Sequence, residues 1–594
     1  MDDKANGNWN GGNHAPPSIE RRDPLGWLAA SVVVGLLAGG IAMAALWRQL
    51  PGLALPPGSL AEHASFAFKV AAHAALPALF GEDAALYRRF LAGLPQDQRV
   101  GAALRAAVAA LAALSPGIFL ARPLLRARDG LIHLRGSTRH SGREAVELLR
   151  SKLRKRVKRR PDHEIAPGIV YPADMFTRHV LIVAGTGAGK STVLKPLIDK
   201  IVASGEQMLL FDPKSEFTVG FGKPELLAPW DERSLSWDIA RDMRNLLDMR
   251  RFAASMIPGS HDPMWAFASR QLLVGLMVHL RATRGIEWGW RELRELIFLP
   301  QADLLAIMRR RHPEAIRAVE KASLTTAGIL INLSSFCSTI FDLAAAWGDK
   351  PPERRISFVE WTKGGSKFPQ IILQGHGAYP DLTKGYVEGI VGIVSAIVNS
   401  VEIEDDPDRK IWFVADEFAK MGKIPVMALF EVGRSRGVRC VVACQDFAQL
   451  EELYGAPMVR ALIGMCGTLL VGQIMQGETA EQLCKAFGSR EVERLNVSTS
   501  SGGAGAGSSQ STQSTQSFSR DEVPLYKPSE LSSRLGPTPE GDGVVFILFT
   551  GGEAYELFWP HYRIRRERLP HVPAPWTTSI HDPAADDSDG DGIA

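Results

Sequence analysis

Cysteine is scarce: Cys337, Cys440, Cys444, Cys466 and Cys484 are the only five in 594 residues, with no CxxC pair and no histidine at ligand spacing. That excludes a disulfide framework and a zinc site, and an odd set of mostly apolar-flanked thiols reads as reduced and cytosolic. An excess of one charge is also missing. The 68 Lys and Arg stand against 65 Asp and Glu, a net charge of +3, so the position of the charge says more than its sum. A charged fraction of 22% with 45% hydrophobic residues excludes a disordered chain. No zinc finger or other base-reading signature occurs. The run "DDSDGDGIA" puts Asp587, Asp589, Asp591 and Gly592 at calcium-loop spacing, but the bidentate Glu that closes such a loop is lacking. At this length one core is too few, and about two to four units are expected.

What is present begins with an apolar run. Gly26 to Trp47 holds 22 uncharged residues, enough at helical rise to cross a hydrocarbon core of about 30 Å. Trp27 and Trp47 stand at its ends, where aromatic rings favour the interface. Gly35 and Gly39 form a GxxxG face that could pack another helix. A second candidate span covers Gly101 to Ala121, in which Arg105 must snorkel to a surface and Pro116 interrupts the helix. Arg122, Arg126, Arg128, Arg135, Arg139 and Arg143 follow it, and Arg21 and Arg22 precede the first span; both flanks belong on the cytoplasmic side. Residues 1–25 then form a cytoplasmic tail, and 26–122 two transmembrane helices (26–47 and 101–121) with a short periplasmic loop. In that loop "ASFAFKVAAHAALPALF" reads as an amphipathic helix against the membrane or a partner. Residues 123–170 form a basic cytoplasmic stem. Attraction to anionic lipid and contact with nucleic-acid phosphates both account for its charge.

The chemistry-bearing stretch is "AGTGAGKST", 184–192, directly after the apolar "HVLIVA". It fits the phosphate-loop pattern GxxxxGK[ST], with Ala184 in place of the first glycine, between a strand and the helix "KSTVLKPLIDKIV". Gly185, Thr186, Gly187, Ala188, Gly189, Lys190, Ser191 and Thr192 are the expected nucleotide contacts, because backbone N–H groups at a helix N-terminus favour an anion. Lys190 reaches the β- and γ-phosphates and Ser191 binds Mg²⁺. The segment "KIWFVADEF" ends an apolar strand in Asp416, a second Mg²⁺ ligand, and Glu417, which polarises the attacking water. A further strand, "VRCVVACQ", ends in Gln445, placed to sense the γ-phosphate. In "GRSRGVR" just before it, Arg434 and Arg436 are either solvated turn charges or fingers acting on a neighbouring subunit's nucleotide. The cofactors expected are ATP and Mg²⁺.

Strand-like runs alternating with helical stretches argue for an α/β fold with a mostly parallel sheet. From residue 235 to 345 helical periods alone remain, so an all-helical insertion is expected. Residues 171–234 and 346–565 make up the P-loop domain, 498–519 form a flexible low-complexity loop within it, and 566–594 a flexible acidic tail.

With "AGTGAGKST", "FDPKSEF", "VADEFAKMGK", "EVGRSRGVRCVVACQDFAQL" and "GETAEQLCKAFGSRE" assembled, the chain resembles type IV secretion coupling proteins of the TraD/TraG kind over most of its length. The resemblance implies a RecA-like motor, hexameric, at the bacterial inner membrane. It would receive single-stranded DNA with bound relaxase and pass it to the secretion channel, alongside inner-membrane components of the system. That family usually has Gly where this chain has Ser215, so Asp212 and Lys214 of "FDPKSEF" are carried over with that departure noted. Two rivals remain: a nucleotide-dependent receptor for protein effectors, and a chromosomal translocase of the FtsK kind, for whose C-terminal winged helix the stretch after Arg565 is short.

Overall fold

Alternating apolar strands and amphipathic helices organise the chain as that patterning requires. The structure is a computed structural model and describes residues 24–48, 53–125, 131–257, 259, 263–321, 323–501, 512–563 and 565–578. Arg21, Arg22, Arg126, Arg128 and the acidic run around Asp587, Asp589, Asp591 and Gly592 lie outside the described residues. The chain divides into two compact units, Met1–Leu134 with Val492–Asp521, and Arg135–Glu491 with Glu522–Ala594.

In the first unit the helices are α1 (Pro24–Leu46), α2 (Leu60–Ala75), α3 (Gly81–Gly93) and α4 (Gln96–Leu125). Helix α1 lies against α4, and the GxxxG face is spent on this contact within the chain. A Cβ added to Gly35 would sit 2.5 Å from the Ala113 carbonyl oxygen, and one on Gly39 3.0 Å from Ala113 Cβ. Helix α4 continues through Pro116, where an interruption was expected. Arg105 does not snorkel; it is buried and donates to the carbonyls of Leu46 and Ala54 at 2.9 Å and of Arg48 and Leu53 at 3.1 Å. The guanidinium thus gains four acceptors at and beyond the end of α1, of which the Leu46 carbonyl also accepts from Arg48 N–H at 2.8 Å. Helix α2 finds its partner in α3: Phe66 stacks on Tyr87 at 5.4 Å, His63 bonds the Tyr87 hydroxyl at 2.8 Å, and Lys69 pairs with Asp83 at 3.0 Å.

Among the described residues no single helix is long and apolar enough to cross a membrane; the apolar stretch Ser31–Leu46 falls short, and only the bent pair Leu324–Phe336 and Ser338–Trp347 qualifies by length and composition. Ile340, Leu343 and Trp347 of that pair are buried in the protein core.

The second unit is built on one large mixed sheet. Its main strands are β1 (Thr138–Ser141), β2 (Val180–Val183), β3 (Gln207–Asp212), β4 (Glu225–Leu227), β5 (Gln370–Gln374), β6 (Ile411–Ala415), β7 (Val438–Cys444), β8 (Thr468–Val471), β9 (Gly543–Thr550) and β10 (Glu553–Pro560), in the order β1-β10-β9-β8-β2-β7-β6-β3-β5-β4, with the short strand Gly536–Pro537 paired to β9 off this path. From β8 to β4 neighbours run parallel, with Val180 opposite both Val441 and Thr468 and Ile411 opposite both Val438 and Gln207. Strands β9 and β10 turn antiparallel. Strands β2, β6 and β7 are buried along their whole length, which is why β2 and β6 read as unbroken apolar runs; β7 is apolar except for Arg439, buried and paired with Asp162 at 3.0 Å.

The basic stem is not a free-standing segment. Strand β1 pairs parallel with β10 at the sheet's edge, and helix α5 (Gly142–Arg159) buries Ala145, Leu149 and Leu153. That four-residue apolar spacing is the helix's inner stripe, hidden in the sequence by the surrounding Arg and Lys. Several of these are neutralised: Lys152 pairs with Glu553, Arg156 with Asp174, and Arg139 with Glu530 at 2.8 Å.

Between the short parallel strands Ser236–Trp237 and Arg355–Ile356 all the elements are helical. Trp237, Trp290 and Trp347 pack in series, with ring centroids 5.7 Å apart at each step. Buried Asp242 ties the start of this stretch to the N-terminus of the helix Phe358–Thr362 that follows it. It accepts from Trp237 Nε1 at 2.8 Å and from the N–H groups of Phe358 and Val359 at 2.9 and 3.1 Å. Burial pushes its carboxyl up to about 6.

Two expected flexible segments are ordered where they are described. Thr- and Ser-rich sequence favours extended backbone, and strands Ser489–Ser501 and Thr512–Pro524 replace much of the expected loop 498–519; 502–511 lie outside the described residues. Of the expected tail, residues 566–578 are seated on the unit. Arg568 donates to the carbonyls of Thr218 and Pro224 at 2.7 and 2.9 Å, and Trp576 Nε1 to Pro229 at 2.8 Å. An aromatic anchor and a multiply bonded guanidinium offset the ordering entropy of such a strap.

Candidate nucleotide site

The site forms where four parallel strands end. Strand β2 feeds the phosphate loop, and helix α6 (Lys190–Ser204) begins directly after it. Gly187 and Gly189 have φ of 76° and 96°, a left-handed backbone that glycine adopts without strain. Gly189 also allows close packing, since a Cβ there would meet Val544 Cγ1 at 2.5 Å. Thr186 and Gly187 are exposed, Ala188 is buried, and Ser191 and Thr192, in the first turn of α6, are half-buried. Ala184 causes no disruption; it is fully buried and its N–H donates to the Cys444 carbonyl at 3.2 Å.

Lys190 is folded over its own loop, donating to the carbonyls of Ala184 at 2.7 Å and Gly185 at 3.2 Å. Burial pulls its pKa down, against the upward pull of Asp416 and Glu417. These two carboxylates follow β6, which is separated from β2 by β7 alone. Asp416 is buried, and its Oδ1 has no hydrogen-bond partner. Its carboxyl is pushed up to about 6 by burial; Lys214 draws it down, while Glu216, Glu417 and Asp212 add to the rise. An orphaned, buried carboxylate oxygen among other carboxylates fits a cation ligand.

Glu417 sits in a small relay. Gln445, at the end of β7, donates to its Oε1 at 2.9 Å and accepts from the Thr186 hydroxyl at 2.9 Å. Lys420 pairs with Glu417 at 2.6 Å, and Lys214 pairs with its other face. Burial raises the Glu417 pKa, but the two ammonium groups outweigh it and hold the carboxyl below its ordinary value. Lys214 was named in the sequence, but its ion pair with Glu417 was not foreseen, and Lys420 was not singled out at all. No spacing rule brings a loop after β3 to one after β6.

The two candidate arginines separate. Both lie in the turn before β7, but Arg436 is half-buried, pairs with Asp405 at 2.8 Å and donates to the Ser400 carbonyl at 3.0 Å. Arg434 is exposed and borders a surface hollow of about 310 Å³ with Arg160, Asp174 and Glu431. His179 fixes the base of this turn: its Nδ1 accepts from Cys440 N–H at 3.2 Å, so its Nε2–H donates to the Phe430 carbonyl at 3.1 Å.

A strand, a glycine loop, a helix opening on Lys and Ser, and a carboxylate pair two strands away are the parts of P-loop nucleotide-binding proteins. The chain belongs to the type IV secretion coupling proteins: the family model for the "Type IV secretion-system coupling protein DNA-binding domain" matches residues 163–535, most of its length. Coupling protein TraD of Escherichia coli (strain K12) is 22% identical over 314 residues, covering 51% of this chain and 43% of TraD. The chain thus matches less than half the length of that relative. Among solved structures, unbound TrwBdeltaN70, a bacterial conjugative coupling protein, has a TM-score of 0.58 at 22% identity, covering 74% of this chain and 96% of that one. The plasmid coupling protein TrwB in complex with ADP and Mg²⁺ has a TM-score of 0.57 at 21% identity, covering 75% and 98%. These likenesses bear out the α/β nucleotide-binding fold.

Proposed function

We propose that this protein is a coupling ATPase of a type IV secretion or conjugation system, which hydrolyses ATP with Mg²⁺ to move single-stranded DNA brought by a relaxase. The observation that supports it most is the pairing, across β7, of the Lys190–Ser191 loop with buried Asp416 and Glu417. TrwB is solved with ADP and Mg²⁺ and with a non-hydrolysable ATP analogue, on the fold that this chain shares.

The Gly185–Thr192 loop would cradle the phosphates, with Lys190 exchanging its two backbone carbonyls for phosphate oxygens. Ser191 and the orphaned Asp416 oxygen would hold Mg²⁺. Bound Mg²⁺ supplies neutralisation of phosphate charge. Glu417 would orient and deprotonate water, and Gln445, bridging it to Thr186, would keep base and loop in register. Arg434, free of any structural duty, is the better candidate to act on a neighbouring copy's nucleotide in a ring, a hexamer in our reading. Residues 171–234 and 346–565, apart from Val492–Asp521 of the first unit, would form the motor, and 235–345 its helical insertion.

The α1–α4 pair is proposed as the inner-membrane anchor, with the motor in the cytoplasm. Val33, Leu36, Leu37 and Ile41 of α1 and Leu111 and Leu114 of α4 are all exposed, an outer apolar surface that lipid would cover.

The test is ATP hydrolysis by the full chain with and without single-stranded DNA, beside Lys190→Ala and Glu417→Gln. Turnover raised by DNA and lost in both variants is expected, with ATP binding retained in Glu417→Gln. ATP binding without turnover, in a ring-forming preparation and under every DNA condition, would instead favour the effector-receptor reading.

A further inference from the structure

We propose that Lys214 is the residue that tells ATP from ADP in this site: it restrains Glu417 in the nucleotide-free protein and exchanges that carboxylate for a terminal phosphate. The proposal rests on the reading of this site as an ATPase with Glu417 as its base.

The turn that follows β3 is built to aim Lys214. Asp212 is fully buried and accepts from the backbone N–H groups of Lys214, Glu216 and Thr218 at 3.4, 3.1 and 2.7 Å, and from the Thr218 hydroxyl at 2.8 Å. A buried carboxylate so satisfied is a rigid knot and not a spare catalyst. Ser215 stands at φ 59°, the left-handed region that explains why glycine is usual at this position. Its hydroxyl accepts from Gln374 at 2.8 Å, and Glu216 pairs with Lys195 on α6. The turn is therefore tied to β5 on one side and to the helix of the phosphate loop on the other.

From this turn the Lys214 ammonium reaches Glu417. Its side chain is 50% exposed whereas that of Glu417 is 5% exposed, so the lysine is the partner able to leave. Lys420 differs: it lies three residues from Glu417 and travels with it. With Lys214 on its Oε1 and Lys420 on its Oε2, Glu417 has both oxygens engaged and is poorly placed to accept a hydrogen bond from an attacking water. A terminal phosphate carries more charge than a carboxylate and offers more acceptor oxygens. Lys214 is thus a positioning residue. Its transfer releases the Oε1 side of Glu417, leaving Lys420 on Oε2, only when a third phosphate is present, and ADP leaves the restraint in place.

The experiment measures binding of a non-hydrolysable ATP analogue and of ADP to the full chain, for wild type, Lys214→Met, Lys214→Arg and Lys420→Met. The expected result is that Lys214→Met lowers the affinity ratio of analogue over ADP by about tenfold or more, that Lys214→Arg restores much of it, and that Lys420→Met leaves it near wild type. Steady-state turnover should separate KM from kcat, with KM for ATP raised in Lys214→Met. An unchanged ratio in Lys214→Met would overturn the proposal, as would equal weakening of both nucleotides. Turnover surviving in Glu417→Gln would instead remove Glu417 as the base, while the affinity ratio still reports on Lys214.

Discussion

His179 offers a quantitative test of how the arginine turn is held. The residue is 1% exposed, and burial lowers its pKa from 6.5 to about 4, with Arg434 adding to the fall and the Phe430 carbonyl opposing it. Protonation would place a charge in the core and remove the acceptor that Cys440 N–H uses. The folded pKa lies below the unfolded one, so this contribution is whole above pH 6.5 and is lost as pH falls towards 4. At roughly 1.4 kcal/mol per unit, going from pH 6.5 to 5 costs about 2 kcal/mol. Asp242 and Asp416, both raised to about 6 by burial, change stability in the opposite direction over the same range, so wild type alone does not isolate the effect. His179→Asn does: Asn tolerates the residue's φ of 61°, keeps an acceptor near the Nδ1 position and does not titrate. Denaturant unfolding should show the variant about 1 kcal/mol less stable at pH 7, for the lost bond to Phe430. At pH 5 that deficit should vanish or reverse. A stability gap that stays within about 0.5 kcal/mol between the two pH values would refute the assignment of a buried neutral histidine.

Further substitutions probe three parts of the molecule. Arg434→Ala should cut DNA-stimulated ATP turnover by about a thousandfold with stability within about 0.5 kcal/mol of wild type. Arg436→Ala should mainly destabilise, by about 1 kcal/mol, because it removes a half-buried donor from Asp405 and Ser400; the reverse pattern in turnover and unfolding assays would exchange the two roles. At the turn after β3, Ser215→Gly should be more stable than Ser215→Ala by about 1 kcal/mol, since both lose the hydroxyl and only Gly relieves the positive φ. In α1, Gly35→Leu should open the contact with α4, by a few kcal/mol and read as protease sensitivity. Gly40→Leu, with nothing within 4 Å of its Cβ, is the matched control and should change nothing.

The local signals were legible because short-range physics fixed them. Gly187 and Gly189 are needed wherever the backbone turns left-handed around an anion site, and Lys190 and Ser191 follow at helix-opening positions. Apolar runs, broken only by Arg439 in the last, identify Val180–Val183, Ile411–Ala415 and Val438–Cys444 as strands buried on both faces, and Asp416, Glu417 and Gln445 take their places from the ends of those strands. The sequence by itself therefore determined the fold class, the phosphate loop and the carboxylate pair. What it left open depends on which elements meet. Arg105 was read as a membrane liability, yet it satisfies four carbonyls from residues 46 to 54, a pairing that exists only once α1 and α4 are side by side. The basic run before Arg160 hid an apolar stripe of three residues at four-residue spacing and an edge strand, because charge dominates composition while packing depends on position. Arg434 and Arg436 are alike in sequence; only tertiary contacts hold one and leave the other free. Lys214 and Glu417 are about two hundred residues apart, and their pairing was decided by strand order, which brings the ends of β3 and β6 side by side.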